Sequence, residues 1–264
     1  MEAIRYEVSR GVATLTLNRP AQKNAIDETM RAEIAQALAD LERDREVRAL
    51  VVTGAGGAFC AGGDLRNIGS ANLDNEGWRR RMKAAHEWLT ELITLDRPVI
   101  AAVDGVAYGA GFSLALAADF VIVSPRARFC MSFLRVGLVP DFGAFYTLPR
   151  IVGVQRAKEL MLSTREVGAE EAKALGIAME IQPAERLLER AQALAASFVN
   201  ASPMAVSMIK RALSAAPHAD LQTLLEVEAN AQALSFNSEQ HRQAVARFLS
   251  KEPALFQWPA ETKP

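Results

Sequence analysis

The chain has 264 residues, half of them hydrophobic and 23% charged, a balance that excludes a disordered chain and allows one or two domains with a large core. Lys plus Arg total 30 against 31 for Asp plus Glu, so the basic surplus expected of a nucleic-acid-binding protein is absent. Cys60 and Cys130 are too few for a disulfide framework, the first ten residues hold Glu2, Arg5, Glu7 and Arg10 rather than the apolar run of a signal peptide, and the weakly polar stretch 105–118 is too short to cross a bilayer. A soluble protein in a reducing, cytoplasmic setting is the expectation, with neither nucleic acid nor membrane as partner.

In chain order, the β-rich run 12–17 predicts a strand, broken by Asn18-Arg-Pro20. Asp27 is placed to cap a helix over 28–41, whose apolar Met30, Ile34, Leu38 and Leu41 share one face. Residues 49–53 predict a buried strand ended by Gly54-Ala-Gly-Gly57. A stretch read as a variable loop, 67–77, leads into a helix over 76–95 that stops before Pro98. Strands are predicted at 98–103 and 120–123, with a short apolar helix over 111–118 between them. This alternation implies a mainly parallel sheet with helices on its faces. Beyond Ile177 strand signals fade, and helices are predicted over 184–198, 204–215, 220–236 and 239–250, punctuated by Pro183, Pro203 and Pro217. Pro253 and Pro259 mark the last residues as a frayed terminus. The division is a core over 1–195 and a helical region over 196–264 that caps the core or makes subunit contacts.

Several chemical motifs fail on their details. Gly54-Ala-Gly56 opens like a dinucleotide fingerprint, but Phe59 replaces its third glycine and a turn, 60–65, follows instead of an immediate helix. No Gly-Lys-Ser/Thr marks a phosphate loop. Gly111-Phe-Ser113-Leu-Ala115 approximates a nucleophile elbow, yet ends in alanine, and the late histidines His218 and His241 sit in polar helical context. No His, Cys, Asp or Glu spacing suggests a metal site. Two glycine-rich turns remain, Ala61-Gly-Gly63 and Tyr108-Gly-Ala-Gly111, each after a predicted strand, the second at the positive end of a helix. They are either ordinary tight turns or a pair whose backbone N–H groups converge on one oxygen and hold developing negative charge.

The strings Leu17-Asn-Arg-Pro20, Asn24-Ala25, Gly57-Ala-Phe-Cys-Ala-Gly-Gly-Asp-Leu65, Arg97-Pro-Val-Ile-Ala-Ala-Val-Asp-Gly-Val-Ala-Tyr-Gly-Ala-Gly111, Gly137-Leu-Val-Pro-Asp141, Leu148-Pro-Arg-Ile-Val-Gly153 and Phe248-Leu-Ser-Lys251 resemble, in order and over nearly the whole chain, the crotonase (enoyl-CoA hydratase/isomerase) superfamily. Within it the chain is most similar to the 1,2-epoxyphenylacetyl-CoA isomerases, through Gly109-Ala-Gly-Phe-Ser-Leu-Ala-Leu116, Met131-Ser-Phe133 and Leu138-Val-Pro-Asp141. The resemblance implies an α/β fold of crotonase type, a spiral ββα core with a helical C-terminal region, assembled as a trimer or a dimer of trimers. It implies an acyl-CoA thioester as substrate, with coenzyme A part of that substrate and no separate cofactor. By the same resemblance the backbone N–H groups of Gly63 and Ala110 form an oxyanion hole, main chain near Ala61 meets the adenine, Lys23 and Arg66 meet CoA phosphates, and Phe248 and Lys251 close the CoA site from a neighbouring subunit. Lys23, Arg66 and Lys251 also fit plain solvated charges. Asp64 reads as structural, tying its turn together.

The hydratases of this superfamily divide water addition between two glutamates. The corresponding positions here are Ser113 and Phe133, which argues against hydration. Asp141 follows Pro140 among apolar residues, and it corresponds to the catalytic aspartate of the epoxyphenylacetyl-CoA isomerases and to the nucleophile of 4-chlorobenzoyl-CoA dehalogenase. Otherwise it is a turn or cap aspartate. A proton shift needs only one base, so the leading reading is an isomerase. The dehalogenase alternative adds His86, at the position of that enzyme's base histidine, and a non-catalytic acyl-CoA- or RNA-binding paralogue is a further alternative. Met131, Phe133, Phe142 and Trp88 read as acyl-pocket lining or as ordinary core, and the two cysteines as buried apolar residues.

Overall fold

The computed structural model describes residues 1–260. In chain order its elements are β1 (Ile4–Ser9), β2 (Val12–Leu17), α1 (Glu28–Arg43), β3 (Ala49–Gly54), α2 (Leu65–Ser70), α3 (Asn75–Thr94), β4 (Val99–Val103), β5 (Val106–Tyr108), α4 (Ala110–Leu116), β6 (Phe120–Val123), β7 (Arg128–Cys130), α5 (Ala144–Val152), α6 (Val154–Ser163), β8 (Glu166–Gly168), α7 (Ala169–Ala174), β9 (Glu180–Ile181), α8 (Leu187–Ser197), α9 (Pro203–Ala215), α10 (Leu221–Phe236) and α11 (Glu239–Leu249). The large sheet has the order β1-β2-β3-β4-β6-β9; β1 is antiparallel to β2 and every other pair is parallel. A smaller sheet, β5-β7-β8, stands beside it.

The parallel strands are buried on both faces, and their side chains sort by the two-residue period of a strand. Leu15, Leu50, Val52, Ala101 and Val121 enter the main core with α1, α3 and α4. Val12, Val51, Ile100 and Ile122 face the other way, where Leu187, Ala191 and Leu194 of α8 cover them. Asp27 caps α1 as its position predicts, accepting from the Met30 N–H at 2.8 Å. Asp74 does the same for α3 through Gly77, 2.7 Å away.

Two expectations are corrected, and one region carried no expectation. Residues 67–77 are mostly helical: Asp64 caps α2 and Asp74 caps α3, leaving only 71–74 as connection. The small sheet and α5, α6 and α7 carry no strong sequence signal, because their strands have only three residues each and Pro149 lies inside α5. The last described residues do not fray. Trp258 packs edge-on against Phe120 at 5.4 Å, and Arg190, in a buried ion pair with Glu180 at 2.6 Å, donates to the Ala260 carbonyl at 2.9 Å.

Helices α9, α10 and α11 contain no buried residue. Leu213, Leu221, Phe236, Phe248 and Leu249 are all more than half exposed. Apolar exposure on this scale is characteristic of a surface that another protein covers.

Candidate active site

The two glycine turns are joined by backbone pairing. Cys60 forms an isolated parallel bridge with Ala107, its N–H donating to the Val106 carbonyl and its own carbonyl accepting from Tyr108, both at 2.9 Å. Close approach depends on small residues. A Cβ on Gly62 would stand 2.8 Å from the Tyr108 carbonyl oxygen, and one on Gly111 would stand 2.3 Å from that of Cys60.

A second bridge, Ile26 to Gly63, orients the first turn. Ile26 donates to the Gly62 carbonyl at 2.7 Å and accepts from the Asp64 N–H at 3.0 Å. In a parallel bridge this directs the N–H of Gly63 itself away from Ile26. Ala110 is the first residue of α4, where the helix has no acceptor to offer its N–H. Neither N–H has a protein acceptor among the described residues. Two amide donors are thus available on two turns clamped to each other, the second with the positive end of α4 behind it.

Asp64 is structural, as its sequence context suggests. It accepts from Arg66 and Asn67 at the start of α2 and pairs with Arg19 at 3.0 Å, and Arg19 also reaches Asp27 at 3.2 Å. Burial alone would raise its carboxyl, but the Asn67, Arg19 and Arg66 donors outweigh burial and hold it below the usual carboxylate range. Asn24 is fully buried; its amide donates to the Ala55 and Ala58 carbonyls, and its oxygen accepts from Arg19. Arg19 and Asn24 stand in the strings that carry the resemblance, but sequence reasoning gave neither a role; Asn24 adopts φ +59°, a conformation that asparagine tolerates.

The Lys23 carbonyl accepts from Ala61 at 2.9 Å, so these two residues are adjacent, and Arg66 lies on the first turn after Asp64. Lys23 and Arg66 are exposed. The three residues implied for CoA therefore flank the first glycine turn. Phe248 and Lys251 do not join them within one protomer: they lie at the end of the exposed tail, where Phe248 lines an apolar groove with Phe256 and Ile209.

Past the turns, Phe133 lies near Gly109, and Ile68, unmarked by sequence reasoning, borders Gly63. Ser113 is buried and its hydroxyl bonds back to the Gly109 carbonyl at 3.3 Å, an arrangement that leaves it helix-bound. Cys60 is fully enclosed, and burial pushes its thiol up to about 12, which removes it as a nucleophile.

Asp141 sits on the loop entering α5, which packs against α4. Its neighbour Phe142 is buried edge-on against Trp88 of α3, ring centres 5.3 Å apart. The Asp141 Oδ1 is buried with no hydrogen-bond partner among the described residues. Burial raises its carboxyl to about 7, against the opposing pull of the Arg31 guanidinium. Arg31, beside Met30 on α1, was also missed by sequence reasoning. Its own Nη2 is buried and unpartnered among the described residues. His86 is exposed on α3, off the face that buries Ala85, Trp88 and Leu89. Among the described residues, no group of three or more His, Cys, Asp or Glu is placed to hold a metal, and no helix is long and apolar enough to cross a membrane.

The model of the enoyl-CoA hydratase/isomerase family matches residues 7–259. The chain is 38% identical to 1,2-epoxyphenylacetyl-CoA isomerase of Escherichia coli K12, covering 97% of this chain and 98% of the relative. It is 40% identical to a probable enoyl-CoA hydratase of Rhodobacter capsulatus, covering 96% and 97%. A solved enoyl-CoA hydratase/isomerase from Cupriavidus metallidurans superposes with a TM-score of 0.94 at 44% identity, covering 99% of both chains. The match of the family model over most of the chain and the full-length likeness to these proteins make this chain a member of the enoyl-CoA hydratase/isomerase family, with the crotonase fold.

Proposed function

We propose that the chain isomerises an acyl-CoA thioester with Asp141 as its single base and the Gly63 and Ala110 N–H groups as its oxyanion hole. The observation that carries this reading is the state of Asp141: a buried carboxyl, unpartnered at Oδ1, with its proton affinity lifted to about 7. Such a group takes a proton from carbon and gives it back at neutral pH. With a 3-enoyl thioester, Asp141 removes a proton from C2. The electrons move onto the thioester oxygen as a dienolate, which the two amides hold. The protonated carboxyl then delivers the same proton to C4, leaving the conjugated 2-enoyl product. Each amide donor contributes about 3–4 kcal/mol to such a transition state. The likeness to an epoxyphenylacetyl-CoA isomerase adds ring-epoxide acyl groups to the substrates worth assaying.

Hydration is disfavoured in this reading because Ser113 and Phe133 occupy the positions matched to the hydratase glutamates. A dehalogenase needs a base next to the Asp141 ester, and His86 is exposed instead. Lys23, Ala61 and Arg66 are assigned to the CoA moiety, and Phe248 and Lys251 to the CoA site of the adjoining subunit in a trimer or dimer of trimers, consistent with the uncovered apolar tail.

The test is ultraviolet detection of the conjugated product from a 3-enoyl-CoA, for wild type and Asp141→Asn, beside a crotonyl-CoA hydration assay. The reading expects isomerisation without comparable hydration, and a loss of 10² or more in the variant. Hydration at equal or greater rate, or an active Asp141→Asn, refutes it.

A further inference from the structure

The tail helices keep their places without burying a side chain of their own. Their near end is pinned by charge. Lys210 of α9 meets Asp119 at 2.5 Å and the Arg97 carbonyl at 2.8 Å, and Arg211 meets Asp96 at 2.8 Å. From there α10 packs on α9, and α11 on α10.

The far end returns to the core. Lys251, at φ +56°, follows α11 and turns the chain back. Arg247 holds that turn, pairing with Glu252 at 3.1 Å and donating to the Pro253 carbonyl at 2.9 Å. Beyond it, Phe256 packs on Phe198 at 5.5 Å, and Trp258 stands edge-on to Phe120 at 5.4 Å and to Phe198 at 6.1 Å. The next two carbonyls, of Pro259 and Ala260, accept from Arg190 at 3.3 and 2.9 Å. Arg190 is 5% exposed, and its fork is held by the Glu180 carboxylate through bonds of 2.6 and 3.2 Å.

A buried ion pair spends most of its attraction on desolvation and adds little net stability. What this one provides is direction: the carboxylate fixes the guanidinium plane, and the remaining N–H groups meet two successive carbonyls of the terminal segment. Phe248 is one step from this latch, because it and Phe256 line the same groove of about 630 Å³. Lys251 is joined to it through the turn that Arg247 fixes.

We propose that Arg190 and Trp258 are positioning residues for the CoA site: they latch the far end of the tail to the large sheet, through Glu180 of β9 and Phe120 of β6, and so set where Phe248 and Lys251 stand. This rests on the assignment of Phe248 and Lys251 to the CoA moiety. The latch then acts on the nucleotide half of the substrate and leaves the acyl half, with Asp141 and the two amides, untouched.

The experiment compares a 3-enoyl-CoA with the same acyl group carried on pantetheine, which lacks the nucleotide. Trp258→Ala should raise KM for the CoA thioester roughly five- to ten-fold with kcat little changed, and leave kcat/KM for the pantetheine thioester as in wild type. Arg190→Lys keeps the charge beside Glu180 but lacks the fork, and should act in the same direction. Calorimetric binding of butyryl-CoA reads the same weakening without turnover. An unchanged affinity for the CoA ligands in both variants, or an equal loss with both thioesters, overturns the proposal. Phe248→Ala and Lys251→Ala separate the two claims. If they leave the affinity for butyryl-CoA unchanged, the CoA assignment fails. If they weaken it while the latch variants do not, the assignment stands and the latch fails.

Discussion

Replacing Asp141 with asparagine should abolish isomerisation and stabilise the protein at the same time. Lifting a carboxyl from its ordinary 3.8 to about 7 corresponds to roughly 4 kcal/mol against the charged form in the folded state. Asp141 is only half-buried as a residue, so solvent at its open edge brings the realised figure to ~2 kcal/mol. The sign follows from linkage. The folded protein holds this proton more tightly than the unfolded chain does, so the stability tied to it is complete below about pH 4 and is lost progressively up to about pH 7. Asparagine does not ionise and escapes the loss. Denaturant unfolding of both proteins at one fixed protein concentration should therefore show Asp141→Asn close to wild type at pH 4.5 and ~2 kcal/mol more stable at pH 8. A variant less stable than wild type at pH 8, or a difference that does not change with pH, would refute the argument that burial without a partner governs this carboxyl.

Other expected outcomes follow from the same geometry. Ala110→Pro removes one of the two proposed oxyanion donors at the first helical position, where proline is tolerated, and should lower kcat by 10² to 10³ with circular dichroism unchanged. Gly111→Ala drives a methyl to 2.3 Å from the Cys60 carbonyl, so it should cost ~2 kcal/mol or more of stability and disconnect the two turns, read as lost activity with a lowered midpoint of unfolding. Lys23→Ala and Arg66→Ala should raise KM with little change in kcat; an unchanged KM in both would remove the phosphate assignment. Sedimentation should give the mass of a trimer or hexamer, because so much apolar tail surface is uncovered in one protomer, and a monomer at micromolar concentration would contradict that account.

The sequence revealed elements where period and punctuation agree. The four-residue spacing of Met30, Ile34 and Leu38 behind a capping Asp27 returned α1 almost to the residue, and the unbroken runs at 49–53 and 98–103 returned the inner strands. The small sheet was illegible because its three-residue strands are held by pairings across distant segments, such as Phe129 with Val167. Residues 67–77 misled for another reason: Gly69 and Gly77 lower helix propensity, and the caps Asp64 and Asp74 prevail over it. At the site, the glycine turns and Asp141 were legible through resemblance. Arg31 was not, since only the fold shows that its guanidinium acts on the buried carboxyl of Asp141.

The most direct test of the central claim is the pH dependence of kcat/KM for isomerisation, which reports the free enzyme's base. With Asp141 in that role, the rate should fall about ten-fold per pH unit below neutrality, bend near pH 7, and level off above it. A profile already level at pH 5, with its bend near the ordinary aspartate value, would show that the base is a solvated carboxylate and that the buried carboxyl of Asp141 does not carry the reaction.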